Sequence, residues 1–153
     1  MSAGLLIDCD EQVAAYLFKN CVSPVMKFDR AIGLIVDGSL AGGILFQCFN
    51  GFNVELSYYG RKTMTSGIIR CLARFLISTF NPSRVTVTVN RRQKRLMRSL
   101  RKLGFVLEGT QRCFYGHQDK IRNTGVRFVL FRESLNKLAA LDQEATHAAA
   151  ASQ

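Results

Sequence analysis

The stretch from Arg84 to Arg112, RVTVTVNRRQKRLMRSLRKLGFVLEGTQR, constrains the fold most, because the hydrophobic period changes within it. Val85, Val87 and Val89 alternate with Thr86 and Thr88, the period of two that puts the valines on one face of a strand. After Asn90 the period lengthens. Leu96, Leu100 and Leu103 fall at i, i+4 and i+7, a narrow apolar stripe on a helix over Arg91–Lys102 whose other faces are almost wholly basic. Gly104 ends that helix, since glycine takes a left-handed C-terminal position without steric cost. Phe105 then folds back onto the last turn, and a strand begins again.

The flanks extend this pattern. Asp10 is placed to cap a helix over Glu11–Cys21 with Val13, Ala14, Leu17 and Phe18 inward, and Pro24 marks its exit. Ala31–Phe49 is two hydrophobic runs joined by Asp37-Gly38, a strong hairpin signal. Asn50-Gly51 turns the chain into a third run, where Phe52, Val54, Leu56 and Tyr58 alternate with Asn53, Glu55, Ser57 and Tyr59. Ala31–Tyr59 therefore reads as a three-stranded antiparallel meander. A helix follows, with Met64, Ile68, Leu72, Phe75, Leu76 and Thr79 on one face and Arg70 and Arg74 on the other. Pro82 separates it from the Val85 strand, giving a strand–helix–strand crossover and hence a parallel pair. Downstream, TQRCFYG and VRFVLF read as two strands joined by the polar loop His117–Thr124, and RESLNKLAALDQEA as a closing helix. A chain of 153 residues, 48% apolar, is long enough for one ordinary core. A single domain is expected over residues 1–140, with an alanine-rich tail over 141–153 that is partly helical or frayed.

Leu103, Gly104 and Phe105, followed by Glu108, Gly109 and Arg112, resemble the closing half of the GNAT superfamily of N-acetyltransferases. The order of elements agrees with that resemblance over about residues 10–135. Within the superfamily the chain is most similar to the branch that acetylates protein N-termini and to small relatives carried by tailed phages. The resemblance implies a mixed α/β fold: a central, mostly antiparallel sheet with one parallel, splayed strand pair and helices on both faces. It also implies acetyl-CoA as cosubstrate, seated in the wedge between the fourth and fifth strands. The pyrophosphate would meet backbone N–H groups at the start of the next helix, where unpaired donors and a partial positive charge favour an anion.

Carried onto this sequence, the cofactor region is Tyr58, Tyr59, Gly60, Arg61, Lys62, Thr63, Met64, Thr65, Ser66 and Gly67. Met64 and Ser66 stand where the family's loop has glycines, while Thr63, Thr65, Ser66 and Gly67 keep N–H and hydroxyl donors beside two cations. The family's asparagine before the Leu-Gly-Phe motif falls on Gln93, and its thiolate-protonating tyrosine falls on Leu100. Glu55, on the strand entering the loop, is by analogy the candidate general base that takes a proton from the acceptor amine. Tyr58, Tyr59 and Tyr115 are alternatives for proton relay or substrate walls. The competing readings are a strand-surface carboxylate for Glu55 and a capped helix with a solvated basic start for the loop.

Charge is the informative part of the composition. Residues 1–60 carry 3 basic and 6 acidic groups, residues 61–112 carry 13 and 1, and residues 113–153 carry 5 and 4, so the net +10 resides in the middle. On the basic helix, Arg91–Arg95, Lys94–Arg98 and Arg98–Lys102 are like-charge i, i+4 pairs, each costing about 0.2–0.5 kcal/mol. A sequence selected for stability alone does not do this, so an anion is expected nearby. No aromatic is interleaved among these cations, which leaves base stacking unsupported. An acidic protein is the expected partner, with weak, salt-sensitive nucleic-acid binding at most. The five cysteines lack a CxxC pair and only two histidines are present, which argues against a metal site or disulfide framework and for a reducing cytoplasm. Cys113 is expected exposed on a strand near the cleft. No apolar run reaches the about 18 residues a membrane span needs, and no basic region precedes the short apolar run at the N-terminus. Two functions follow: an acyltransferase that moves an acetyl group from acetyl-CoA to an amine, or a protein that has kept this fold, lost the chemistry and grips an acidic host protein or nucleic acid with its basic helix.

Overall fold

The computed structural model describes residues 2–20, 27–60 and 64–140. Among these, one seven-stranded sheet runs in the order β1-β2-β3-β4-β5-β7-β6. Its strands are β1 (Ala3–Leu6), β2 (Arg30–Val36), β3 (Ser39–Gln47), β4 (Asn53–Gly60), β5 (Arg84–Asn90), β6 (Val106–Gln111) and β7 (Gly125–Phe131). Only β4 and β5 are parallel; all other neighbours are antiparallel. The helices are α1 (Asp10–Asn20), α2 (Ser66–Thr79), α3 (Lys94–Lys102) and residues 132–140 (α4). This is the mixed α/β architecture expected from the sequence.

Strand alternation divides the sheet into two faces. Ile32, Ile44, Phe46, Val54, Val85, Phe128 and Leu130 point to the face covered by α2, α3 and α4, where Ile68, Leu72, Phe75, Leu76, Met97, Leu100 and Leu135 complete the main core. Their neighbours Ala31 and Leu45 point the other way, against Val13 and Leu17 of α1. Beyond α1 this second face carries Glu55, Arg84 and Arg127 together with the exposed Val106 and Phe131. Asp37 and Gly38 both have positive φ (49° and 78°), so the β2–β3 hairpin closes with the twist its strands require. The Asn50 carboxamide oxygen accepts from the N–H groups of Phe52 and Asn53, which fixes the turn into β4. Gly104, at φ 100°, closes α3: its N–H bonds to Arg101 O and the Phe105 N–H to Leu100 O, both at about 3 Å.

Several expectations need correction. α3 starts at Lys94, not Arg91, because Asn90 Oδ1 accepts from the Arg92 N–H and Gln93 Oε1 accepts from the Asn90 N–H, holding residues 91–93 in a turn. Arg91–Arg95 is therefore not a pair within the helix. Its buried stripe centres on Met97 and Leu100, and Leu96 is left 37% exposed. α1 includes Asp10 itself, whose carboxylate is turned to Arg30 (2.7 Å) and the Ala31 N–H (2.9 Å) on β2. The strand expected over TQRCFYG ends at Gln111 and begins earlier, at Val106, and Cys113 lies past it in a turn, exposed, at φ 56°. β1 was not expected at all. Cys21, Pro24 and the tail over 141–153 lie outside the described residues.

Candidate active site

β4 and β5 pair over only part of their lengths. Asn53, Val54, Glu55 and Leu56 register with Arg84, Val85, Thr86 and Val87, and the parallel ladder stops there. Past this point Ser57, Tyr58, Tyr59 and Gly60 pair with β3, while Thr88, Val89 and Asn90 pair with β7. The sheet therefore opens into a wedge whose walls present backbone groups without ladder partners across the gap. What allows β4 to lean onto β3 is glycine: a Cβ on Gly42 would collide with the Tyr59 carbonyl and come 3.0 Å from Gly60 Cα. A register shift between Leu34 and Ile35 takes up Ala41 as an extra residue beside this contact.

The side chains of β4 beyond the ladder split between the two faces. Tyr58 packs against the main core, and burial pushes its pKa above the ordinary tyrosine value. Tyr59 packs on the α1 side. Ser57 Oγ donates to Gln47 Oε1 (3.0 Å), and Gln47 Nε2 donates to Lys27 O (3.0 Å), tying the segment entering β2 to the wedge. Tyr115, from the β6–β7 connection, donates its hydroxyl to Thr88 O at 3.3 Å. That connection is braced by an Arg112–Asp119 ion pair and by the Tyr115 N–H bonding to Asn123 O. Tyr115 is 45% exposed. Burial, with the Tyr59 phenol nearby, holds its pKa above the ordinary value. Tyr59 and Tyr115, from distant parts of the chain, are thus close enough to influence each other electrostatically.

Glu55 lies within the paired part of β4, on the face opposite the main core. Its Oε1 is 3.2 Å from Arg127 Nη2 on β7. Arg127 Nε reaches Glu108 (3.2 Å), and Glu108 binds Arg84 through both oxygens (2.6 and 2.7 Å). The Arg84 bonds come first among the causes that hold the Glu108 carboxyl below its ordinary pKa. Glu108 can sit between two guanidiniums because it is the extra residue of a bulge: Leu107 faces Phe128, Gly109 faces Arg127, and Glu108 is left over. This alternating chain of charges crosses four strands and covers Thr86 and Val129, which are 1% and 2% exposed.

α2 is the next element after β4 in chain order. Thr65 is the N-cap and its hydroxyl accepts from the Ile68 N–H at 3.3 Å, leaving Ser66 and Gly67 as the first helical residues. Met64 packs partly against the core. Arg61, Lys62 and Thr63 lie outside the described residues. Gln93 sits past β5 on the other wall, with its side chain bound to the Asn90 N–H (3.1 Å). Of the sequence-derived set, Tyr58, Tyr59 and Gly60 end β4, Thr65 caps α2 with Ser66 and Gly67 in its first turn, Gln93 follows β5, and Glu55 is set back inside the ladder. Missed were the Arg127 partner of Glu55, the bonds from Arg127 and Arg84 to Glu108, and the contact from Tyr115 to Thr88. The signal for the first was present, since Arg127 is a lone charge inside VRFVLF.

No protein-family model and no curated protein matches the chain. Solved structures do match, at low identity. A spermidine N-acetyltransferase, SpeG from Vibrio cholerae, is 11% identical with a TM-score of 0.69 over 88% of this chain and 96% of its own. An acetyltransferase from Bacillus subtilis in complex with CoA is 11% identical with a TM-score of 0.58, over 84% and 97%. A putative acetyltransferase from T. thermophilus is 20% identical with a TM-score of 0.61, over 76% of this chain and 65% of its own. Across four acetyltransferase structures at 17–21% identity, this chain spans 61–66% of their length, under two thirds. These likenesses define the architecture: this chain has the fold of the GNAT acetyltransferases.

Proposed function

We propose that the protein is an acyltransferase that moves an acetyl group from acetyl-CoA to an amine. The observation that carries this reading is the divergence of β4 from β5 after Leu56 and Val87, with α2 the next element after β4. The residues present fit such a cosubstrate. Unpaired backbone groups on the two walls can bond an extended amide chain and the acyl oxygen, which lowers the cost of charge developing there. The N–H groups of Ser66 and Gly67 can face phosphate oxygens, with Thr65 fixing the first turn. Arg61, Lys62 and Thr63 join this set in the proposal on charge and sequence position alone.

Amine attack requires a group that takes the amine's proton and one that returns a proton to the departing thiolate. Glu55 is the carboxylate of the wedge strands and takes the first role, held in place by Arg127. Tyr115 takes the second: its raised pKa keeps the phenol protonated at neutral pH. The acceptor is an amine of a protein rather than a free polyamine, because a net charge of +10 repels a polycation. A phage protein acting on a host target is compatible with this reading.

Acetyl-CoA titrated against the full chain should raise its melting temperature, and Ser66→Asp should remove the shift by placing an anion at the start of α2. Thiol release from acetyl-CoA should then appear with peptides bearing a free N-terminus, and be weaker with spermidine. A melting curve unmoved by excess acetyl-CoA sinks the proposal. A second reading, a protein that keeps the fold without the chemistry, is favoured by Leu100, buried where the resemblance expects a phenol, and by Gln93, whose carboxamide oxygen is already bonded to the backbone. It predicts the thermal shift without thiol release.

A further inference from the structure

The basic wall of α3 and the free edge of the sheet lie side by side. Arg91, Lys94, Arg98 and Arg101 line a shallow cleft of about 420 Å3, with Leu107 of β6 and Val126 of β7 also in its lining. Among the described residues, none of these four cations has an ion-pair partner, whereas Arg30, Arg84, Arg112 and Arg127 each reach a carboxylate. The Arg101 guanidinium lies over the Phe128 ring, 5.5 Å from its centroid, a cation–π contact. β6 pairs with β7 on one side and ends the sheet on the other among the described residues. Its Val106 and Leu107 are 48% and 53% exposed. An exposed edge bearing apolar side chains is ordinarily blunted by a charge or a proline on the strand itself. β6 carries one charge, Glu108, which is paired with Arg84 and Arg127, so the unopposed charge stands on the neighbouring helix.

We propose that this cleft docks an acidic partner segment in extended conformation, which adds as a strand to β6 and sets its carboxylates against the cations of α3. The two repeats match. Alternate side chains of a strand recur about every 6.6 Å, and side chains three or four apart on a helix are about 5–6 Å apart, within the reach of arginine. Charge complementarity supplies the attraction, the β6 main chain supplies donors and acceptors, and Leu107 supplies apolar contact. A nucleic acid fits less well, because its phosphates only accept hydrogen bonds and the cleft lining has no aromatic side chain for a base to stack on. A second copy of the chain fits less well too, because pairing at β6 would bring the two basic α3 helices together. The site is separate from the wedge, since β7 stands between β5, one wall of the wedge, and β6. It does not depend on acetyl transfer.

The test uses the full chain and a short fluorescent peptide alternating Glu with Thr, followed by anisotropy at physiological salt. Saturable binding is expected, and Arg98→Glu should weaken it about tenfold or more with the melting temperature preserved, since Arg98 is exposed. N-methylating the Glu amides or the Thr amides of the peptide separates strand addition from charge attraction alone: one set faces β6 and its methylation abolishes binding, and the other faces solvent and is tolerated. The proposal is overturned by equal binding of both methylated peptides, by no saturable binding, or by tighter binding of a single-stranded oligonucleotide of equal charge. A dimer in light scattering that Leu107→Glu dissolves would overturn it in favour of self-pairing at β6.

Discussion

The Tyr115 hydroxyl bonds to Thr88 O, a carbonyl on β5 just past the end of the parallel ladder, and its pKa is raised by burial and by Tyr59. A phenol above its ordinary value of 10.0 remains a proton donor across the neutral range. Tyr115→Phe keeps the ring and deletes the proton. Turnover should fall about 100-fold, with the ratio of wild type to variant flat at neutral pH and shrinking as the pH rises past 10. A pH-independent ratio in stopped-flow thiol release would make Tyr115 a wall of the site and not its acid. Glu55 calls for a different experiment, because its carboxylate serves an ion pair as well. Glu55→Gln leaves Arg127 with Glu108, and because these groups are about one-third exposed the loss of stability should stay within about 1 kcal/mol. Turnover should drop far more than this, with acetyl-CoA affinity unchanged. Equal turnover of the two proteins would return Glu55 to the charge network that covers Thr86.

α2 is the element on which cosubstrate binding and folding both depend. Thr65→Ala removes the one side-chain cap seen at its start and should cost about 1 kcal/mol, a fall in melting temperature of about 2–4 °C for a chain of this size. Thr65→Ser should restore it, and a shift no larger than that of an exposed substitution would show the cap to be idle. The same helix illustrates what was legible in the sequence. Ile68, Leu72, Phe75 and Leu76 announce its buried face through spacing alone, and Asp37-Gly38, Gly51 and Gly104 announce their turns because each needs a backbone that few residues adopt. The elements misjudged were those whose limits depend on long-range partners. β1 is four residues with no alternation to read, and exists because Ala3–Leu6 pair with β2. β6 takes its start and its bulge from β7. The turn before α3 is set by two side-chain hydrogen bonds between Asn90 and its neighbours, which no hydrophobic period encodes. For the candidate site, sequence order placed Tyr58, Tyr59 and Gly60 at the end of β4 and Ser66 and Gly67 at the start of α2, but the Arg127 partner of Glu55 and the approach of Tyr115 required the sheet order β5-β7-β6.

At the scale of the whole molecule, few carboxylates serve many cations, 11 against 21, and the structure uses several of them as links between distant parts. Asp10 joins α1 to β2, and Glu108 joins β6 to β5 and β7. Burial raises the Asp10 pKa, but the hydrogen bonds from Arg30 and the Ala31 N–H outweigh it, so the net shift is downward from 3.8. Glu108 is lowered from 4.5, first by its bonds from Arg84. A carboxylate whose folded pKa is depressed contributes stability above its unfolded value and loses it as the pH falls through the folded value. Both contributions are therefore complete at neutral pH and vanish in acid, where protonation also raises the net charge and adds self-repulsion to a chain already at +10. The melting temperature should be nearly level from neutral pH to about pH 5 and fall steeply below about pH 4. Glu108→Gln isolates one contribution: the variant should melt lower than wild type at neutral pH, and the gap should close as the pH drops below 4.5, where wild-type Glu108 takes up its own proton. Differential scanning calorimetry of both proteins across this range decides the matter. A gap of equal size at pH 7 and pH 3 would mean that packing of the bulge, and not the charge on Glu108, holds β6 to the rest of the sheet.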